Sequence, residues 1–203
     1  MRLVLATANP HKVREFDRLL GGGGTSAEDG GASGGGTAIE VHPLPEGVSL
    51  PPEIGDTFAA NALIKARAAA TATGRPAFAD DSGIAAEALG GAPGVRSARY
   101  AGETATDQQN LDKLRAEVPP GTGLAYVCAI AYVDGDVEHV FEERCTGRMS
   151  PEPRGERGFG YDPVFVPDDR DDGRTMAELP DAEKDAISHR GRAARALRSW
   201  LAS

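Results

Sequence analysis

Apolar positions along the chain fall into blocks whose period changes from two to nearly four, and the blocks predict alternating strands and helices. Leu3-Val4-Leu5-Ala6 reads as a buried strand. Asn9 suits a helix N-cap and Pro10 the first helical position, after which Val13, Phe16, Leu19 and Leu20 recur at helical spacing. Ile39 to His42 is a second strand. An Ala-rich helix is expected from Thr57 to about Thr73, stopped by Gly74-Arg75-Pro76. A short strand over Ala77-Phe78-Ala79 then ends in Asp80-Asp81-Ser82-Gly83, read as an acidic turn with an apolar segment, Ile84 to Leu89, behind it. Asp107 to Glu117 reads as a helix. Leu124 to Val133 and Val137 to Met149 read as an antiparallel pair joined at Asp134-Gly135. Val164-Phe165-Val166 is a short strand, and a last helix capped by Ser188 carries Ala194, Leu197, Trp200 and Leu201 on its buried stripe.

Between the first two strands, Gly21 to Thr37 is glycine-rich and low in complexity, with too little apolar surface to order itself. It is expected to be a flexible insertion within a single domain spanning all 203 residues. It lacks the basic residue and the strand-to-helix setting of a P-loop.

Charge narrows the partners. A formal net charge of -9 argues against a general nucleic-acid or membrane surface. It leaves room for a phosphorylated small molecule bound in a local basic pocket. No apolar run is long enough to span a bilayer, and the chain reads as soluble and cytoplasmic. Cys128 and Cys145 fit no metal spacing and read as reduced core residues.

Candidate chemistry gathers at a few places. Adjacent carboxylates at Asp80 and Asp81 need a compensating cation. Lys12 falls in the first turn of a helix, where a cation opposes the helix dipole unless an anion is present. His189 and Arg190 repeat that mismatch as two potential cations in the first turn of the last helix. The helix start after Asn9 offers backbone N–H groups to a phosphate. Asn61 and Lys65 are four apart and share a face. Glycines flank Phe159 and Tyr161 in Gly158-Phe159-Gly160-Tyr161-Asp162-Pro163, which permits close approach of a flat ligand.

In order along the chain stand Thr7-x-Asn9-x-x-Lys12, Asn61-x-x-x-Lys65, Ala79-Asp80-Asp81-Ser82-Gly83 and Gly90-Gly91-Ala92-Pro93-Gly94 with Ser97-Ala98-Arg99-Tyr100. Gly158 to Pro163 and Glu183-Lys184-x-Ala186-Ile187-Ser188-His189-Arg190-Gly191 complete the series. This series closely resembles the inosine triphosphate pyrophosphatase family over nearly the whole chain outside the glycine-rich segment. The resemblance implies an α/β fold: a mixed, twisted sheet flanked by helices, in two lobes about a central cleft. It implies a Mg²⁺-dependent homodimer that hydrolyses ITP, dITP and XTP to the monophosphate and pyrophosphate.

By the same resemblance, the segment Thr7, Ala8, Asn9, Pro10, His11 and Lys12 would hold the triphosphate together with Lys65. Asp81 would be the catalytic acidic residue and a metal ligand, with Lys65 also catalytic. Ser82 would touch substrate. Phe159 would stack on the base, with Gly160, Tyr161, Asp162, Lys184, His189 and Arg190 completing its pocket. Glu53 is the candidate for a further metal ligand. Asp80 is a third, since the residues leave open which aspartate holds metal and which works on the water. Where the family often shows Thr-Phe-x-Glu-Asn, this chain has Thr57-Phe58-Ala59-Ala60-Asn61, so the capping-box glutamate is missing. A nucleotide-binding module without catalysis is the competing reading, and would require the acids to be lost.

Overall fold

In the computed structural model, residues 1–21 and 39–203 are described, so most of the glycine-rich segment lies outside the described residues. The strands are β1 (Arg2–Leu5), β2 (Glu40–Pro43), β3 (Ala77–Ala86), β4 (Gly123–Asp134), β5 (Val137–Met149) and β6 (Phe165–Pro167). The α-helices are α1 (Pro10–Leu20), α2 (Phe58–Thr73), α3 (Asp107–Glu117), α4 (Asp181–Ile187) and α5 (His189–Leu201). Among the described residues one mixed sheet runs β2-β1-β3-β4-β5-β6. β1 is parallel to both its neighbours, and the β3–β4, β4–β5 and β5–β6 pairs are antiparallel. The mixed α/β architecture is the one expected.

Period-two alternation sorts the core onto two faces. Leu3, Leu5, Phe78, Cys128 and Ile130 pack with Phe16 and Leu20 of α1 and Ala194 and Leu197 of α5. Val4, Ala6, Ala77, Ala79, Ala129 and Ala131 pack with Ala62, Ala66 and Ala69 of α2. Small residues on both partners let α2 lie close on the sheet. Its start is capped by the Thr57 hydroxyl, which accepts from the Ala60 N–H at 3.1 Å, and its end by Gly74 at φ +61°.

Three expectations change. First, the acidic stretch is not a turn: β3 continues through Asp80, Asp81, Ser82 and Gly83 to Ala86, in register with β4 from Ala77↔Val133 to Ala86↔Leu124. Polar residues survive mid-strand because cations from the flanking helices meet them. Gly83 serves packing, since a Cβ there would stand 2.3 Å from the Ser97 hydroxyl and 2.6 Å from the Gly94 carbonyl. Second, the last helix is two helices sharing Ser188, which ends α4 and caps α5 by accepting from the Gly191 N–H at 3.0 Å. Third, the β4–β5 loop is Gly135 and Asp136, one residue later than read, because Asp134 pairs with Val137. Cys128 and Cys145 are buried and free, as expected.

The sheet carries a notch. β1 pairs with β3 only at Val4↔Ala77 and Leu5↔Phe78 and then stops, while β3 runs on for eight more residues. The edge of β3 beyond Phe78 therefore faces the turn after β1 instead of a strand. Cavities at the carboxyl ends of parallel strands are a common place for ligands in α/β proteins.

Candidate active site

A cavity of about 480 Å³ opens at this notch. Because no strand fills the gap, it reaches both faces of the sheet. From the turn after β1 it takes Thr7, Ala8, Asn9 and Lys12, and from α2 Lys65. β3 contributes Asp81, Ser82 and Gly83. Glu53 comes from the loop before α2, and Phe159 to Asp162 from the loop before β6. Lys184, His189 and Arg190 close the far end from α4 and α5. Pro10 and His11 stand off the wall, although the His11 ring lies 5.1 Å from that of Phe159.

The two aspartates have different settings, and strand geometry is the reason. Asp81 shares a face with Ala79, toward α2. Its carboxylate accepts from Asn61 Nδ2 at 3.0 Å and lies 3.6 Å from Lys65 Nζ. Lys65 Nζ also donates to Glu53 Oε1 at 2.5 Å, and Arg99 lies 3.8 Å from the other Glu53 oxygen. Burial raises the Asp81 pKa, the Lys65 ammonium opposes that, the Glu53 charge adds to the rise, and the net is upward. Lys65 is itself held charged, since Asp80, Asp81 and Glu53 outweigh its burial.

Asp80 faces the other way, with Phe78, toward α1 and α5. It is 0% exposed and lies behind the cavity wall. Its Oδ2 takes Lys12 Nζ at 3.0 Å, the Arg190 guanidinium at 3.3 and 3.4 Å, and the Ser82 hydroxyl at 3.2 Å. Burial would raise its pKa, but Lys12 and Arg190 hold it well below the usual carboxylate range. Asp80, expected as a candidate metal ligand, thus has the setting of a buried counter-ion for two cations on its Oδ2, while its Oδ1 has no partner within the protein.

The helix start also departs from expectation. Asn9 Oδ1 accepts from the backbone N–H groups of His11 at 2.8 Å and Lys12 at 3.4 Å, so these amides are engaged by the cap. Lys12 finds its anion in Asp80.

At the far end, Arg190 is buried and bonded to Glu15 Oε2 at 2.5 Å and to the Ser82 hydroxyl at 2.8 Å. Lys184 Nζ donates to Glu15 Oε1 at 2.9 Å and to Asp162 Oδ2 at 2.8 Å. Both cations lie near the Phe159 ring, at 5.4 Å for Lys184 and 5.6 Å for Arg190. Asp162 also accepts from the Phe159 N–H at 3.0 Å and the Tyr126 hydroxyl at 3.1 Å. Gly158, at φ +72°, sits where a Cβ would be 2.0 Å from Asp162 Oδ2, so glycine is required for this closure. Tyr161 donates its hydroxyl to the Ser97 carbonyl at 2.7 Å.

His189 is not the cation its position suggested. Burial, then Arg190 and Lys184, push its pKa well below 6.5, so it is neutral. Its ring stacks on Tyr126 at 4.6 Å and 8°, and its Nδ1 has no partner within the protein.

Glu15 and Tyr126 are the site residues that sequence reasoning passed over. Glu15 lies three residues after Lys12, on the same face of α1, which is the signal that could have marked it. Tyr126 sits in an unbroken apolar strand and carries no such signal.

Among the described residues no group of three or more His, Cys, Asp or Glu could hold a metal. Glu53 and Asp81 are two carboxylates on one ammonium, a donor set that suits Mg²⁺, which binds through one or two carboxylates and completes its shell with water and phosphate oxygens.

Fold and cavity together define an α/β protein with a ligand cleft at a sheet notch, lined by apolar surface and by charged side chains from β3, α1, α2, α4 and α5. The chain belongs to the Ham1 family, whose model matches residues 3–200. It is 47% identical to the dITP/XTP pyrophosphatase of Frankia alni over 211 aligned residues, covering 99% of this chain and 97% of that protein. A Ham1 protein from Coxiella burnetii has the same fold, with a TM-score of 0.81 and 39% identity over 99% of this chain and 98% of that one. A nucleoside-triphosphatase/dITP/XTP pyrophosphatase from Mycobacterium abscessus matches with a TM-score of 0.69 and 42% identity, over 97% of this chain and 98% of that one.

Proposed function

We propose that the protein hydrolyses ITP, dITP and XTP to the nucleoside monophosphate and pyrophosphate, removing deaminated purines from the nucleotide pool. The observation that carries this reading is one cavity with two chemically distinct ends. Lys65, Glu53 and Asp81 meet at one end, and Lys12, paired with Asp80 on the opposite face of β3, also lines the cavity. Phe159, Lys184 and Arg190 meet at the other. A triphosphate fits the first and a flat, oxo-bearing ring the second. The relatives' names give dITP and XTP, two of these three substrates.

Thr7, Asn9, Lys12 and Lys65 bind the triphosphate, and Ser82 lies between the phosphates and the sugar. Asp81, with its raised pKa, is the base that orients the attacking water and takes its proton as the α–β anhydride opens. Lys65, held charged, meets the negative charge growing on the leaving pyrophosphate. Mg²⁺, held by Glu53 and Asp81, would supply charge neutralisation on the phosphate oxygens. The base stacks on Phe159. Lys184 and Arg190 carry donors only, so an oxo group satisfies them and an amino group leaves them unpaired. Tyr161, Asp162 and neutral His189 complete that pocket. The enzyme is read as homodimeric and cytoplasmic on the family resemblance. Among the described residues no helix is long and apolar enough to cross a membrane.

The test is a pyrophosphate-release panel over ITP, XTP, dITP, GTP and ATP with Mg²⁺. The expected result is turnover of the first three far above the last two. Equal rates on ATP and ITP would defeat the reading.

A further inference from the structure

Asn61 is 0% exposed at the start of α2, and none of the roles above uses it. Both ends of its amide are committed. Its Oδ1 accepts from the Gly55 N–H at 2.7 Å, and its Nδ2 donates to Asp81 Oδ2 at 3.0 Å. The partners fix which end is which. A peptide N–H only donates and an ionised carboxylate only accepts, so a flipped amide would set donor against donor and acceptor against acceptor. Gly55 lies two residues after Glu53, in the loop before α2. A Cβ on it would stand 2.7 Å from Ala60 Cβ and 2.8 Å from Asn61 Oδ1, so glycine is what lets this loop close on the helix. One neutral side chain therefore ties the strand that carries Asp81 to the loop that carries Glu53.

Resting on the Mg²⁺-dependent pyrophosphatase reading of this end of the cavity, we propose that Asn61 is a positioning residue, which holds the Asp81 carboxylate and the Glu53 loop in register so that the two acids serve as one metal-binding pair. Geometry divides the oxygens of Asp81 between two residues of one helix face. Asn61 takes Oδ2, and Lys65, one turn further along α2, stands 3.6 Å from Oδ1. The carboxylate is thus fixed in rotation, with Oδ1 turned toward the ammonium. Glu53 is held differently. Its side chain is 29% exposed, on a segment outside any helix or strand, and its own partners are cations, Lys65 at 2.5 Å and Arg99 at 3.8 Å. An arriving metal competes for the carboxylate in each of these pairs, and an arriving phosphate competes for the cation. Behind those exchangeable contacts stands Asn61. It carries no charge to be drawn off, and it grips the loop by its backbone, so it holds while Glu53 changes partners. Without the tie, ordering the loop would be charged against metal binding. Among the described residues Asn61 bonds to none of Phe159, Lys184 and Arg190, so the loss would fall on metal binding and turnover and spare the base end.

The test compares wild type with Asn61→Ala, which removes both bonds, and with Gly55→Ala, which pushes the loop off Asn61 while leaving the amide itself in place. Kinetics give kcat, KM for ITP and the Mg²⁺ concentration for half-maximal rate. Calorimetry gives the binding of IMP, and of α,β-methylene-ITP, whose α–β bridge cannot be hydrolysed, with Mg²⁺ present or with EDTA in its place. In Asn61→Ala, kcat should fall and the Mg²⁺ requirement rise, each by about 10- to 100-fold, the usual scale for residues that orient metal ligands. KM for ITP at saturating Mg²⁺, IMP binding and metal-free analogue binding should stay near wild type, so that only the Mg²⁺-dependent gain in analogue affinity shrinks. Gly55→Ala should raise the Mg²⁺ requirement with a smaller loss of kcat, since Asp81 keeps its bond, and it decides the matter if Asn61→Ala folds poorly. A folded variant whose kcat and Mg²⁺ requirement both match wild type overturns the assignment. So does a loss of IMP binding as large as the loss of Mg²⁺-dependent analogue binding, which would mark a general loosening of the structure. Wild-type enzyme that turns over ITP without a divalent metal, or releases no pyrophosphate from it, defeats the underlying reading of the site instead, and the two failures are thereby told apart.

Discussion

Lys65 and Arg190 are both buried cations on one cavity, yet they are held in opposite ways. Lys65 is shared between Asp81 and Glu53, and Glu53 comes from a loop outside any element with its side chain 29% exposed. Arg190 is gripped by Glu15, Asp80 and Ser82, all on helices or the central strand and with the two carboxylates buried. The phosphate end is thus built of partnerships that substrate and metal can replace. The base end is built of partnerships that persist. The contrast fits the tasks: phosphates must arrive with a metal and leave as product, whereas a base is judged by fixed donors. Preorganised donors are what make an unpaired group costly to the wrong ligand.

The sharpest way to break the comparison is at the phosphate end. Asp81→Asn keeps the shape and the Asn61 contact but removes the base. Pyrophosphate release from ITP should fall by about 10²- to 10⁴-fold, the usual range for loss of a general base. The fold should be unharmed, since the raised pKa of Asp81 shows that its setting does not favour the charge. Steady-state kinetics with a melting curve decides it, and retained activity would remove Asp81 from the proposed role.

Asp80→Asn should give the reverse pattern, a loss of stability first. It leaves Arg190 and Lys12 without their shared anion in a buried site, a change that costs about 3–5 kcal/mol where it has been measured in other proteins. The sign with pH follows. The folded pKa of Asp80 lies below its ordinary 3.8, so its stabilising contribution is present above that value and is lost as pH falls through the folded pKa. Glu15, ordinarily 4.5 and also lowered, acts in the same direction. Urea melts of wild type between pH 6 and pH 3 should therefore weaken at the acid end, and the Asn variant should show a shallower slope there. An unchanged slope would mean that Asp80 is not the buried counter-ion described.

These two aspartates also show what the sequence could convey. The sequence located β4, β5, α2 and α3 to within a residue or so: β4 and β5 as long strand-like runs on either side of a hairpin signal, α2 as an Ala-rich stretch ended by Gly74-Arg75-Pro76, and α3 as a polar helix-forming stretch. Lys12 stood out as a cation in a first helical turn, Asp81 as one of two adjacent carboxylates, and Asn61 and Lys65 as a polar pair four apart on one helix face, whereas Asn9 read first as an ordinary N-cap. The roles of Asp80 and Asp81 were not separable, because Asp, Ser and Gly in a row carry turn propensity and the strand's continuation depends on counter-ions supplied by α1, α2 and α5. Once β3 is known to run on, the alternation of its side chains divides the pair. Glu15 was hidden for a related reason. A glutamate on a helix reads as solvated until α4 and α5, some 170 residues later, are seen to bring two cations onto it.

A smaller effect probes the permanence of the base end. Tyr126→Phe removes the hydroxyl that donates to Asp162 and leaves the stack on His189 in place. Asp162 keeps Lys184 and the Phe159 N–H, so it is not orphaned. The expected cost is about 1–2 kcal/mol of stability, that of one buried hydrogen bond to a charged acceptor. Chemical denaturation measures it. A loss several times larger would mean that the network stands or falls as a unit.

The smallest predicted change separates helix chemistry from catalysis. α3 begins with a complete capping box: Thr106 accepts from the Gln109 N–H, and the Gln109 side chain accepts from the Thr106 N–H. α2 has only half of one, since Thr57 accepts from the Ala60 N–H and Ala60 has no side chain to return the bond. Ala60→Glu would supply the missing acceptor and place an anion in the first turn, where the helix dipole favours it by about 0.3–1 kcal/mol. The variant should melt a few degrees higher, with kcat/KM for ITP unchanged within about twofold, because Asn61 and Lys65 on the same helix keep their contacts with Asp81. A gain in activity without a gain in stability would instead place position 60 in the chemistry, and the contrast between replaceable and permanent partnerships would have to extend along α2.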